Sequence, residues 1–185
     1  MKRGVGRSLG SSRPAATDPR SFRFVLIFAA CLVVAFGVLL TPPVQSLDFK
    51  FSRTLVQVSQ ALVLACGGHA TRDAAILRAP GGFAVEMRDG CNAVNVTILL
   101  WSAVLAFPAS LKMKVVGLVA GSAIVQVLNI LRFISLFYVG QYSMTWFDFA
   151  HAYLWESLLM LDTMVVFWLW VKRVARLGST TDAGV

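Results

Sequence analysis

The chain is 185 residues long, 57% hydrophobic and 14% charged, with 17 Lys+Arg against 9 Asp+Glu. Soluble domains of this size carry about 25% charged residues, so an ordinary soluble enzyme is excluded. The net charge of +8 does not form a nucleic-acid-binding face, because basic residues crowd the two ends and one short loop between long apolar runs. That is the pattern of an integral membrane protein. The three cysteines, Cys31, Cys66 and Cys91, form no CxxC pair, which excludes a disulfide framework and a four-cysteine zinc site. Cys66 and His69 are only two ligands, too few for a metal centre, and neither a metal nor an organic cofactor is expected.

Residues 1–21 are a basic cytoplasmic tail, followed by a membrane domain over 22–173 and a second cytoplasmic tail over 174–185. The first expected span, 22–40, is longer than a signal peptide's apolar core and ends in Thr41-Pro42-Pro43 without a cleavage site. Within the periplasmic segment 41–91, residues 44–66 read as a helix lying on the membrane surface, with Asp48, Lys50, Arg53, Gln57 and Gln60 as polar breaks. A Cys66-Gly67-Gly68-His69 break follows. Ala75-Ile76-Leu77-Arg78, a turn at Ala79-Pro80-Gly81-Gly82, and residues 83–88 then read as a β-hairpin, with Phe83, Val85 and Met87 on one face. The hairpin delivers Asp89-Gly90-Cys91 to the mouth of a second span, 92–110; two more are expected at 113–139 and 151–171. Residues 1–20 and 178–185 are expected to be disordered. The fold class is an all-α integral membrane protein of four transmembrane helices with a small periplasmic helix plus β-hairpin insertion.

Orientation follows from the basic residues. Lys2, Arg3, Arg7, Arg13, Arg20 and Arg23 precede or open the first span. Lys112 and Lys114 sit between spans two and three, and Lys172, Arg173 and Arg176 follow the fourth. The 140–150 loop has no basic residue. The positive-inside rule therefore makes both termini and the 111–114 loop cytoplasmic.

Depth is the informative step. A helix rises 1.5 Å per residue, so about 20 residues cross the ~30 Å hydrocarbon core. Counting about 20 residues outward from Lys112, Lys114 and Lys172 reaches the neighbourhoods of Cys91, Arg132 and His151. A thiol, a guanidinium and an imidazole from three helices thus fall near one outer boundary. A nearby guanidinium favours a thiolate, the nucleophilic form of cysteine. Histidine shuttles protons near neutral pH, and arginine can hold a developing oxyanion. Together they compose a cysteine-dependent acyl-transfer site. Taken singly, each has a blander role: a small packing thiol, a snorkelling arginine, an interfacial histidine. Ser122, Gln126 and Asn129 form one stripe on the third span, a pattern that usually packs helices together. Glu156 is the expected partner of Arg132, and Asp162 sits near mid-membrane, where an ionised carboxylate is costly.

Gly90-Cys91-Asn92-Ala93, Leu128-Asn129-Ile130-Leu131-Arg132 and Phe147-Asp148-Phe149-Ala150-His151, in that order on three helices, resemble the exosortase/archaeosortase family. The size, the hairpin before the Cys and Ala106-Phe107-Pro108 look most like the exosortase H group. The resemblance covers roughly residues 22–173. It implies a multi-pass protein of a bacterial inner membrane, with its active site on the outer face. It further implies a membrane cysteine transpeptidase acting on exported proteins with a C-terminal sorting tail of the IPTLxxWG-CTERM kind. The family's catalytic residues fall on Cys91, Arg132 and His151, with Asn92, Asn129 and Glu156 as supporting residues. Position 93, commonly Gly in the family, is Ala here. Two other readings stay open: a periplasmic-face cysteine protease with water as acceptor, and a non-enzymatic assembly or transport subunit of the membrane.

Overall fold

The computed structural model describes residues 19–88 and 90–182. The basic tail through residue 18, the residues after 182, and Asp89 of the hairpin exit lie outside the described residues. Helix α1 (Pro19–Leu39) hands over to α2 (Pro42–Ala65) through Thr41, whose extended backbone (φ −76°, ψ 139°) precedes two prolines in the first turn of α2. Proline is preset for that position, since its missing N–H is one of the unpaired donors of a first turn. The other end of α2 closes with Gly67 at φ +80°. Gly67 N–H bonds to the Leu64 carbonyl (3.0 Å) and Gly68 N–H to that of Val63 (2.9 Å). This is the Schellman termination that the Cys66-Gly67-Gly68 break encodes.

The segment over residues 66–93 carries one strand more than the hairpin expected. Strands β1 (Thr71–Asp73), β2 (Ile76–Arg78) and β3 (Ala84–Glu86) form an antiparallel sheet in chain order, with Leu77 opposite Arg72 and Val85. The alternation read in the sequence puts Val85 and Met87 in a core shared with Leu77, Val56 and Val63 of α2 and Phe133 and Phe137 of the fourth helix. So α2 has a fully buried stripe, and the sheet packs on it rather than standing free.

Helix α3 spans Val94–Ala106, 13 residues. The helical part of the expected span over 92–110 is thus shorter than expected, about 20 Å against the ~30 Å hydrocarbon core. Both ends have a local cause. Ala93 takes a left-handed conformation before the first turn, and Phe107 turns extended (ψ 137°) because Pro108 follows. Helix α4 (Leu111–Tyr142) is 32 residues long and overruns the expected 113–139 at both ends. Extended Ser143 separates it from α5 (Met144–Phe149), a π-helical turn (Ala150–Leu154) and α6 (Trp155–Asp182). The last helical segment thus starts seven residues before His151 and runs on into the segment expected to be a disordered tail.

Three helical segments are long and apolar enough to cross a membrane: Ser21–Leu39, Leu111–Tyr142 and Met144–Leu177. Their apolar side chains stay widely exposed, Val33, Val119 and Met164 each by about two thirds or more, which is compatible with a membrane protein. A second core joins Leu100 and Val104 of α3 to Val125 of α4 and Trp170 of α6.

One glycine decides how the sheet meets the bundle. Phe83 packs on Phe137 of α4 and edge-on to Phe147 of α5 (ring centroids 5.7 Å). It fits because position 140 has no side chain: a Cβ there would overlap the Phe83 ring. Gly140→Ala should therefore destabilise the protein by about 1–3 kcal/mol. Phe83→Leu in the same chain should recover much of that loss in thermal unfolding. Equal losses in the single and double variants would show that the two positions do not meet.

Candidate active site

The cysteine is placed by a turn. Cys91 N–H donates to the Arg88 carbonyl at 2.9 Å. Gly90 in the third position has φ +87°, a value that glycine adopts at no steric cost. Two residues after Cys91, Ala93 takes φ 59° and ψ 17°, left-handed and 1% exposed. That is the backbone a glycine favours, so position 93 keeps a glycine-like geometry while carrying a methyl into the core. Such a residue costs roughly 1–3 kcal/mol and persists only where its surroundings hold it.

Asn92 supplies that hold. Its side chain is fully buried (0% exposed). The Nδ2 donates to Asp48 Oδ1 (2.6 Å) and Ser52 Oγ (3.1 Å), both on α2, while Oδ1 accepts the Val94 N–H (3.1 Å) at the start of α3. The Asn92 carbonyl accepts from Gln126 Nε2 of α4 at 3.3 Å. The residue beside the thiol thus ties three helices together. Asp48 and Ser52 lie four apart on one face of α2, a spacing present in the sequence but not read as part of the site.

Arg132 and His151 arrive from α4 and the π-helical turn. Cys91 Sγ lies 3.5 Å from His151 Nε2. Phe147 stacks against the imidazole, the planes 14° apart. Arg132 is 3% exposed, with Nη2 3.7 Å from Glu156 Oε2, while Nη1 is buried with no hydrogen-bond partner among the described residues. All three side chains line one cleft of about 300 Å³. Val85, Phe133, Leu136 and Phe147 form its apolar wall, and Glu86 and Arg88 stand at its margin. The exposed Arg88–Glu86 pair (2.8 Å) keeps the guanidinium above its ordinary value, through the hydrogen bond and the charge of Glu86. Phe147 was read only as part of a motif, and neither its place in the wall of the site nor that of Glu86 and Arg88 at its edge was expected.

The stripe on α4 divides. Ser122 accepts from Trp101 Nε1 of α3 at 2.7 Å and Gln126 reaches Asn92, so both join helices. Asn129 is fully buried, and neither side-chain atom has a hydrogen-bond partner among the described residues. The three thiols are free, Cys66 exposed and far along the chain from the cleft.

The arrangement offers a thiol, a proton acceptor within hydrogen-bond reach and a buried cation facing the same small space. Asn92→Ala should remove the bonds to Asp48, Ser52 and the Val94 N–H, at about 2–4 kcal/mol of stability. Asn92→Asp should cost more, since it sets a carboxylate where a donor met Asp48. Chemical unfolding of the two variants checks the order; an Asp variant as stable as wild type would mean the amide is not the tie.

Comparison of the chain with family models, curated proteins and solved structures finds no match, so the reading of the cleft rests on its own geometry.

Proposed function

We propose that the chain is a membrane cysteine transpeptidase of the kind its motifs resemble, cleaving the C-terminal sorting tail of exported proteins and passing the acyl group to an acceptor. One observation carries the reading: the Cys91 thiol and the His151 imidazole are 3.5 Å apart in a cleft that Arg132 also lines. A nucleophile within reach of its base, with a cation beside it, is the arrangement acyl transfer needs.

In the proposed reaction the Cys91 proton passes to His151 Nε2 as Sγ attacks the carbonyl carbon of the sorting motif. The tetrahedral oxyanion develops beside the Arg132 guanidinium. Collapse breaks the C–N bond, and His151 returns the proton to the departing amine, leaving a thioester on Cys91. An acceptor amine, relieved of a proton by His151, then attacks the thioester and restores the thiol. Water in the acceptor's place would make the same cleft a protease. The apolar wall of Val85, Phe133, Leu136 and Phe147 suits an apolar substrate side chain next to the cleaved bond.

The same proposal takes α3 as a fourth membrane crossing despite its length. It starts beside Cys91 and ends at Phe107, whose ring packs on Trp170 of α6 (5.6 Å) two residues from Lys172. Its N-terminal end thus adjoins the cleft and its C-terminal end the cationic side, where Lys114 Nζ donates to the Leu105 carbonyl (2.6 Å). With the basic residues inside, the cleft faces out, in the plane where a membrane-anchored tail would present its motif.

Cys91→Ala should abolish processing of a tail-bearing substrate while leaving the protein folded and inserted; a scaffold or transport subunit would tolerate the change. Arg132→Lys should fall about 10²–10³-fold in rate, nearly as far as Arg132→Ala, because lysine lacks the planar fork. A Lys variant within a few-fold of wild type would reduce Arg132 to a charge. Mass spectrometry of the substrate's new C-terminus separates the outcomes: added mass means transfer, a free carboxylate hydrolysis.

Topology has its own test. In a Cys66→Ser background, an impermeant thiol reagent added outside should label Cys91 and spare Cys31 of α1. Labelling should rise with pH, because the thiolate is the reacting form. Labelling of Cys91 only from the cytoplasmic side would reverse the orientation and remove exported proteins as substrates.

A further inference from the structure

At the end of the bundle away from Cys91, α4 and α6 diverge around a groove of about 900 Å³. Its α4 side is built of small residues. Gly117 and Gly121 are buried at its base and Ala120 opens into it, between the rims made by Val116 and Ile124. A Cβ at Gly117 would stand 2.5 Å from Trp170 Nε1, so the glycine lets the indole close the base and donate to the Met113 carbonyl at 2.9 Å. One end of the groove is cationic: Lys172, Arg173 and Arg176 all line it, and among the described residues no acidic side chain does. The Lys172 ammonium rests 3.6 Å over the Trp168 ring, a cation–π contact that holds it at the mouth.

We propose that this groove binds one anionic phospholipid, its phosphate among Lys172, Arg173 and Arg176 and an acyl chain along the face of Gly117, Ala120 and Gly121. The shape of the lining selects the ligand. From Val166 to Arg176 the α6 wall extends about 15 Å, apolar along most of that length and charged only at the end. A free phosphate would use the mouth and leave the apolar length unfilled. A zwitterionic lipid would bring a cation to three cations. A helical peptide with a basic end is repelled for the same reason, and a second copy of this chain packed in parallel would bring its own cations to the same place. Arginine's fork matches phosphate oxygens in pairs, and two arginines three apart on one helix can take them together.

The test is retention of lipid by the full chain, extracted from bilayers of equal phosphatidylglycerol and phosphatidylcholine and weighed intact by native mass spectrometry. One phosphatidylglycerol per chain should remain and phosphatidylcholine should not. Replacing all three cations, Lys172→Gln with Arg173→Gln and Arg176→Gln, should lower retention at least about tenfold. Ala120→Phe changes no charge but fills the groove, and should do the same. Retention that survives Ala120→Phe would mean diffuse attraction to a basic surface and would overturn the groove. Displacement by inorganic phosphate alone would overturn the acyl half of the site, and a lipid-free dimer mass would assign the face to a second copy. Should a groove variant fail to fold, Trp101→Phe, Trp146→Phe and Trp155→Phe leave Trp168 and Trp170 as reporters in an unaltered groove. Phosphatidylglycerol with brominated chains should then quench them more strongly than brominated phosphatidylcholine; equal quenching counts against the proposal.

Discussion

The arrangement depends on one buried amide. Asn92 meets α2 through Asp48 and Ser52, α3 through the Val94 N–H and α4 through Gln126. In an apolar bundle a polar group that loses such a bond costs about 1–3 kcal/mol. The network therefore has few alternative registers: a shift of α2 breaks two bonds at once, and a shift of α4 breaks the bond from Gln126. Because Asn92 is the neighbour of Cys91, whatever fixes the helices also fixes the thiol. The left-handed Ala93 follows from the same constraint. The chain must reverse out of the Asn92 network into α3 within one residue, and the network is strong enough to hold an alanine there.

The imidazole is fixed by different means. His151 sits in a π-helical turn, where one extra residue per turn rotates a side chain relative to a regular helix. Phe147 covers one ring face, and Phe147 in turn leans on Phe83, which needs Gly140 on α4. An aromatic line thus runs from the sheet across α4 to the histidine. The sheet that looked in the sequence like a mere approach to the cysteine is also what supports the imidazole. Polar bonds set the thiol and aromatic packing sets the imidazole, and the two meet at 3.5 Å.

How much of this was legible follows from which signals are periodic. The long apolar runs gave α1, α4 and α6, and alternation at Phe83, Val85 and Met87 gave the inner face of the sheet. The depth count brought Cys91, Arg132 and His151 to one level, and they line one cleft. Hydropathy could not show that α3 stops at 13 residues, because residues 94–108 are mostly apolar and carry no charge, and the backbone at Ala93 and Phe107 ends the helix. The strand at Thr71–Asp73 is too short and polar to read. The π-helical turn depends on how α5 joins α6, which no local pattern encodes. Asp48 was visible as a polar break in α2 and Ser52 was not singled out, and their target lies 44 and 40 residues away.

Polar groups left over on α4 bear on the proposed chemistry. Gln126, Asn129 and Arg132 carry buried atoms without hydrogen-bond partners among the described residues. The carboxylate of Glu156 stands 3.7 Å from Arg132 Nη2, a charge contact longer than a hydrogen bond. It offsets the buried charge without consuming its donors. A guanidinium held so that one face meets a carboxylate at a distance and Nη1 stays unpaired costs stability in the resting protein. It is also ready to donate without first breaking a bond. Oxyanion stabilisation draws its strength from donors aimed before the charge develops. A tighter Arg132–Glu156 pair would make a more stable bundle and, under the proposed mechanism, a poorer catalyst.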